Sequence, residues 1–243
     1  RDRTNYKNGE RDGPDESYHE NGQLEYRGNW KNGKQEGLHE EFYENGNLYR
    51  RRTYQNGKKE GLLEWFHENG QLDYRGNYKE GKQEGPVESY HKNGQLGVKG
   101  NHRNGKEEGL WEWFHENGQL RFRTNYKNGK QEGLVESYHE NGQLEYKNNF
   151  KEFDPHIPES EEWCVFLDSL YEVFYENGQL QWRTHFDHKD GSEYCMREWF
   201  RENGQLRRRS NFKNKELDGL QEYFHENGNL SVVDEYKDGN RHG

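Results

Sequence analysis

This 243-residue sequence contains little cysteine, methionine or proline: two, one and four residues. Its two cysteines, Cys164 and Cys195, make no disulfide framework, although a single bond between them stays open. Sparse cysteine favours a soluble protein of a reducing, cytoplasmic compartment. Apolar residues are only 27% of the chain, and no run approaches the roughly 20 residues that a membrane-spanning helix needs. The chain opens at Arg1 without a secretory-signal pattern, and with no initiating Met there a preceding segment is expected. Low hydrophobicity with 34% charged residues ordinarily signals disorder. Disordered chains are poor in rings, however, and this one carries 17 Tyr, 12 Phe and 7 Trp. Its buried apolar surface must come largely from them. A net charge of −10 disfavours a nucleic-acid backbone as partner.

Glycine, by contrast, is abundant and regularly spaced. The motif Glu-Asn-Gly-Gln-Leu or a close variant begins at Glu20, Glu44, Glu68, Lys92, Glu116, Glu140, Glu176, Glu202 and Glu226. The first six copies are 24 residues apart, and the next gaps are 36, 26 and 24. Between them lies a second motif, Lys-Asn-Gly or a variant, as at Lys7-Asn8-Gly9, Lys31-Asn32-Gly33 and Gln55-Asn56-Gly57. Asn-Gly between alternating residues is the strongest short hairpin signal, because a type I′ turn needs positive φ at both central positions. The spacing predicts type I′ turns alternating every 11 and 13 residues, with strands of about seven to nine residues between them. Each 24-residue unit is then one antiparallel hairpin.

Segments such as Tyr43-Glu44-Asn45-Gly46-Asn47-Leu48 and Asn77-Tyr78-Lys79-Glu80-Gly81-Lys82-Gln83-Glu84-Gly85 resemble the MORN-repeat variant. The resemblance covers nearly the whole chain outside about 151–168. Bacterial proteins with this repeat are often classed as YwqK-type antitoxins. The resemblance implies a β-hairpin array used for binding; it specifies the repeat and leaves the function open.

Turn position fixes register. Residues paired across the Asn21-Gly22 turn sum to 43, which sets Glu16 opposite Arg27. The same arithmetic pairs Glu40 with Arg51, Glu64 with Arg75, Glu88 with Lys99, Glu112 with Arg123, Glu136 with Lys147, Glu172 with Arg183 and Glu198 with Arg209. In the last unit Glu222 meets Val233 instead. Opposite charges facing each other contribute roughly 0.2–1 kcal/mol each. The same face carries a ring series from Tyr18 and Phe42 to Phe224, joined by Leu38, Leu62, Leu110, Leu134, Leu170 and Leu220. On the other face two positions vary between units: Asp15, His39, Leu63, Val87, Trp111 and onward, and Ser17, Glu41, Trp65, Ser89, Trp113 and onward. Positions that repeat identically are those stacking demands, whereas varying positions are free to serve a partner. Candidate partner-binding residues are therefore Trp65, Trp111, Trp113, Tyr171, Trp199 and Tyr223, with Trp182 on the same face. The alternative is that these rings are one side of the core.

Catalytic and metal readings fare poorly. His19, His67, His91, His115, His139 and His225 recur before the turn, but equivalent residues lie two strands apart, roughly 9.5 Å. Metal–nitrogen bonds are only about 2 Å, so neighbouring rungs cannot share an ion. A row of Glu invites a glycosidase reading, yet each has a basic partner that lowers its pKa, opposite to what an acid catalyst needs. The basic row is matched by Glu; Arg50-Arg51-Arg52 and Arg207-Arg208-Arg209 are local exceptions. No cofactor, metal or catalytic residue is assigned.

Residues 151–168 interrupt the repeat with 12 extra residues, including two prolines and the apolar stretch that holds Trp163 and Phe166, two further partner-binding candidates. Such insertions are either tolerated surface loops or part of a binding face. The expected architecture is all-β: an elongated antiparallel β-meander of about nine hairpins and 18 strands, regular over 1–150, interrupted at 151–168 and less regular over 169–243. The expected function is a non-catalytic scaffold for protein–protein interaction or structural assembly, through a partner or through self-assembly at exposed edge strands. An antitoxin or immunity-type inhibitor of a toxin protein is the alternative.

Overall fold

The computed structural model describes residues 2–150, 170–189 and 191–242. The insertion, with Cys164, Trp163 and Phe166, lies outside the described residues. Two compact units are present: Arg1–Gly118 with Tyr126–Gly129, and Gln119–Asn125 with Lys130–Gly243. In the first, strands run from Arg3–Lys7 to Gly109–Phe114, each antiparallel to the next in the chain. The second repeats the arrangement from Lys130–Tyr138 to Asn240–His242.

The two turn motifs differ in conformation. At Asn8-Gly9 both residues are left-handed, with φ of 53° and 81°, as a type I′ turn requires. At Glu20-Asn21-Gly22 only Gly22 is left-handed, at 85°. Its N–H donates to the His19 carbonyl at 2.8 Å, and the His19 N–H donates to the Gln23 carbonyl at 2.8 Å. That is a type I turn closed by a glycine bulge, so the expectation of type I′ geometry holds for the Lys-Asn-Gly turns and not for the Glu-Asn-Gly turns. The register survives because a bulge absorbs the difference. Tyr18 faces Leu24, but Ser17 faces Tyr26 and Glu16 faces Arg27.

A second bulge follows most of the type I′ turns. Trp30 faces Gln35, whereas Arg27 faces Glu40, and Glu36-Gly37 takes up the offset. There the chain leaves regular pairing, which splits Lys34–Gln35 from Gly37–Phe42 and Lys106–Glu107 from Gly109–Phe114. With the short strands Arg3–Lys7 and Asn240–His242, the described residues hold 22 strand segments rather than the expected 18.

Successive turns are bonded to one another. The side chain before most of the Glu-Asn-Gly turns reaches a carbonyl in the next hairpin, whereas His139 Nε2 is buried without such a partner among the described residues. His19 Nε2–H donates to Phe42 O at 2.8 Å, Tyr43 Oη–H to Phe66 O at 2.8 Å, and His91 Nε2–H to Phe114 O at 2.9 Å. In the second unit Tyr175 and Arg201 do the same to Phe200 O and Phe224 O. Asn21 and Asn93 Nδ2 donate to the carbonyls of Glu44 and Glu116. Along the type I′ row, the Glu36 carboxylate accepts from the Asn56 N–H at 2.9 Å, and Gln35 O accepts from Gly57 N–H at 2.9 Å. Within the histidine row, His19, His67 and His91 are thus donors to backbone carbonyls.

Opposite the charge ladder, a central line of side chains is buried. Asp15, His39, Leu63, Val87, Trp111, Val135, Arg197 and Gln221 all lie in it. Several of them face small residues across the strands: Leu63 faces Gly76, Val87 faces Gly100, and Arg197 faces Ser210. Space explains the pairing. A Cβ on Gly100 would overlap the Trp111 indole, and one on Gly76 would sit 2.5 Å from Tyr74 Oη. This face is the packed core, and the rings fill it over glycines.

Gly100→Ala should therefore destabilise the first unit by about 1–3 kcal/mol, as overpacking does. Combining it with Trp111→Val should cost less than the sum of the two single changes. Denaturant midpoints of the four proteins in the cycle measure both.

Candidate interaction surface

The ladder face is built from register. Glu16, Glu40, Glu64, Glu88, Glu136, Glu172 and Glu198 face Arg27, Arg51, Arg75, Lys99, Lys147, Arg183 and Arg209, as the turn arithmetic requires. Each cation also faces the Glu of the following hairpin, and the short ion contacts run that way. In the first unit they join Arg27 to Glu40, Arg51 to Glu64, Arg75 to Glu88 at 2.5 Å and Lys99 to Glu112 at 2.6 Å. In the second they join Arg123 to Glu136, Lys147 to Glu172 and Arg183 to Glu198, while Arg209 reaches both Glu198 and Glu222. Rings fix the direction. Arg27 sits 5.5 Å above Phe42, Lys99 5.5 Å above Phe114 and Arg183 5.7 Å above Phe200, each a cation–π contact with the next hairpin.

Two of these carboxylates, Glu88 and Glu198, are held ionised. Burial pushes Glu198 upward, but hydrogen bonds and charge from Arg183 and Arg209 outweigh it and leave its pKa below the ordinary carboxylate value. Glu88 is lowered in the same way, against burial, by Tyr90 and Arg75. Neither can serve as a proton donor near neutral pH. On the packed face His39 is neutral: burial lowers its pKa, Nδ1 accepts from Tyr26 Oη at 2.6 Å, and Nε2–H donates to Asn29 O at 3.0 Å. A hollow of about 570 Å³ lies among Tyr43, His67, Glu68, Asn69 and Lys92. Its Tyr43 and His67 are spent on turn-to-turn bonds. Among the described residues no group of three His, Cys, Asp or Glu side chains could hold a metal ion, and no helix is long and apolar enough to cross a membrane.

The candidate rings fall into different settings. Trp111 is buried, edge-on to His102 at 5.1 Å. Trp65 is 38% exposed and lies 5.3 Å from Tyr74. Trp113 is half-buried, 5.9 Å from Trp111. In the second unit four candidates join one stack: Tyr171 lies on Trp182 at 5.0 Å, Arg197 bridges Trp182 and Trp199, and Arg208 bridges Trp199 and Tyr223. The sequence placed Arg197 at a varying position of this face and Arg208 in a basic run, without linking either to these rings.

Also unread in the sequence is the exposure of the leucines. Leu38, Leu62 and Leu110 in one unit, and Leu134, Leu170 and Leu220 in the other, are 39–51% exposed on the ladder face. Their cross-strand partners carried the signal: Leu38 faces Thr53, Leu62 faces Asn77, Leu134 faces Asn149 and Leu220 faces Glu235. A leucine whose partners are polar has nothing to pack under.

Hairpins bonded turn to turn, with a ladder of paired carboxylates on one face and rings packed over small residues on the other, define a repeat β-scaffold. The family model for the MORN repeat variant matches nine segments: residues 11–32, 35–56, 59–80, 83–106, 107–128, 131–152, 167–188, 197–214 and 217–238. The chain belongs to the MORN-repeat variant family. No curated protein matches it. Among solved structures it is similar to the crystal structure of TcdB2-TccC3-Cdc42, at 11% identity over 91% of this chain and 13% of that chain, with a TM-score of 0.24. It is also similar to that of TcdB2-TccC3-TEV, at 12% identity over 98% of this chain and 16% of that chain, with a TM-score of 0.24. A third is the Photorhabdus luminescens Tc holotoxin pore, at 11% identity over 87% of this chain and 13% of that chain, with a TM-score of 0.25. The chain thus spans 13% to 16% of the length of these matches, and likeness at this level carries no argument about function.

The lowered pKa of Glu198 sets a pH dependence. A carboxylate whose folded pKa lies below its unfolded value, about 4.3, adds stability that is fully present above that value. The stability is lost as pH falls through the folded pKa. Wild-type stability should therefore drop below about pH 4.3. Glu198→Gln should be less stable at neutral pH by about 1–3 kcal/mol, the range of a lost charge-assisted hydrogen bond, and should show a shallower acid drop. Urea midpoints from pH 7 to pH 3, about the span of carboxylate titration, measure both.

Proposed function

We propose that this scaffold binds a protein partner through its ladder face, with the leucine row as the contact. The supporting observation is the recurrence of leucines, half-exposed, at the same position of six hairpins. An exposed apolar stripe of this kind is unusual on a monomer that meets nothing, and marks an interaction site. Paired charges run beside it, so a partner meets an apolar line edged by a nearly neutral ladder. Such an edge contributes orientation more than affinity. The partly exposed rings on the opposite face, Trp65 and Tyr223, are a second contact candidate, since Trp and Tyr are enriched at interface hot spots. The antitoxin reading names a particular kind of partner, a toxin protein; it rests on the family's usual classification, and no residue described above selects for it.

The test replaces Leu38, Leu62 and Leu110 together by Ser and places a photo-crosslinking residue at Asn77, across from Leu62. The triple variant should keep its denaturant midpoint, because half-exposed leucines bury little area. It should lose the crosslinked protein that the wild type captures, or lose self-association in sedimentation if the partner is a second copy. Unchanged capture by the triple variant would refute the proposal. Growth rescue from a co-expressed toxic protein, lost in the same variant, would identify the partner as a toxin.

A further inference from the structure

The Arg50-Arg51-Arg52 triplet divides between the two faces. Arg51 joins the ladder through Glu64, whereas Arg50 and Arg52 project from the packed face and share one carboxylate. Glu41 accepts from Arg50 at 2.6 Å and from Arg52 at 2.7 Å. Lys59 lies on the neighbouring strand opposite Tyr54, with its Nζ 4.9 Å above the Tyr78 ring. Two cations thus share a single carboxylate, and a third lies close enough to feel their charge, in a chain whose net charge is −10. Nearby His39 is neutral and adds no charge.

Stacking does not call for these residues. In the hairpins before and after, the position of Arg50 is held by Tyr26 and Tyr74, that of Arg52 by Gly28 and Gly76, and that of Lys59 by Gln35 and Gln83. All three departures from the repeat coincide in space. One donor is left over: Arg50 Nε is shut off from solvent with no hydrogen-bond partner. The side chains remain reachable, with 25% of Arg50 and 15% of Arg52 exposed. Burial lowers the Lys59 pKa, and Arg52 and Arg50 lower it further, as expected where cations lack enough counter-charge.

We propose that Arg50, Arg52 and Lys59 form a binding site for an acidic protein segment, one that presents two or more carboxylates in succession. A planar guanidinium takes a carboxylate through two parallel N–H bonds, and the ammonium adds a point charge. Tyr54 and Tyr78 supply an apolar floor that strengthens such contacts by excluding water. This site is on the face opposite the leucine row and stands whether or not that row binds a partner.

Calorimetric titration of the full chain with an N-acetylated tri-glutamate peptide tests it. Binding should weaken about tenfold or more in Lys59→Gln and stay unchanged in Lys58→Gln, an exposed neighbour outside the cluster. Glu41→Gln should tighten binding, because it removes the competing carboxylate. Equal affinity for the wild type and Lys59→Gln, or no binding by the wild type at millimolar peptide, would overturn the proposal. Tighter binding of inorganic phosphate than of the peptide would overturn the assignment to carboxylates.

Discussion

Hydrogen bonds between one turn and the next are the constraint from which the rest follows. A hairpin by itself leaves its turn donors and its edge strand to solvent, and is marginally stable at best. Here the turn amides of one hairpin are taken by carbonyls and carboxylates of its neighbour, as Gly57 N–H is by Gln35 O and Asn56 N–H by Glu36. The opposite row is tied forward through His19, Tyr43 and their equivalents. Stability in such an array is a sum of neighbour terms, and residues that make those terms recur. That accounts for the recurrence of Asn and Gly in each Glu-Asn-Gly turn and of a long donor side chain before most of them. It also accounts for a position that tolerates His, Tyr and Arg: each is long enough to donate to the next hairpin's carbonyl.

Within each unit a single sheet has two faces to satisfy and no second layer described over either. One face solves this with rings laid over glycine, serine and threonine. The other uses carboxylates buried beneath cations, which in turn lie on the rings of the next hairpin. Glu198, only 3% exposed at its side chain, is held ionised by two arginines rather than neutralised. Leucines at the margin of this second face have polar cross-strand neighbours and stay half-open.

Much of the fold was legible in the sequence because the turns announce themselves. Asn-Gly at two alternating intervals fixed hairpins, register and faces. The Glu–Arg pairs followed from arithmetic on a single turn. What the spacing concealed was the conformation of the Glu-Asn-Gly turn: a two-residue loop and a type I turn with a bulge produce the same register a few residues away, so alternation alone cannot distinguish them. The Glu-Gly bulges were hidden for the same reason. Side-chain direction along the ladder was also hidden, since each cation faces a Glu on both sides and only ring placement decides between them. The surface was less legible. Trp111 and Trp65 hold related positions in the repeat, yet one fills the core over Gly100 and the other lies open beside Tyr74. Periodicity assigns a face but not a depth. The leucines misled in the opposite direction, because apolar residues at repeat spacing resemble core until their cross-strand partners are read.

Hydrogen exchange at the type I′ turn amides tests the central claim most directly. Turn glycine N–H groups ordinarily point into solvent and exchange freely. If successive hairpins are bonded turn to turn, the amides of Gly33, Gly57, Gly81 and Gly105 should exchange at least about 100-fold more slowly than in an unstructured chain. Free exchange at these amides, with the strand amides protected, would show hairpins that stand side by side without the bonds on which this account depends.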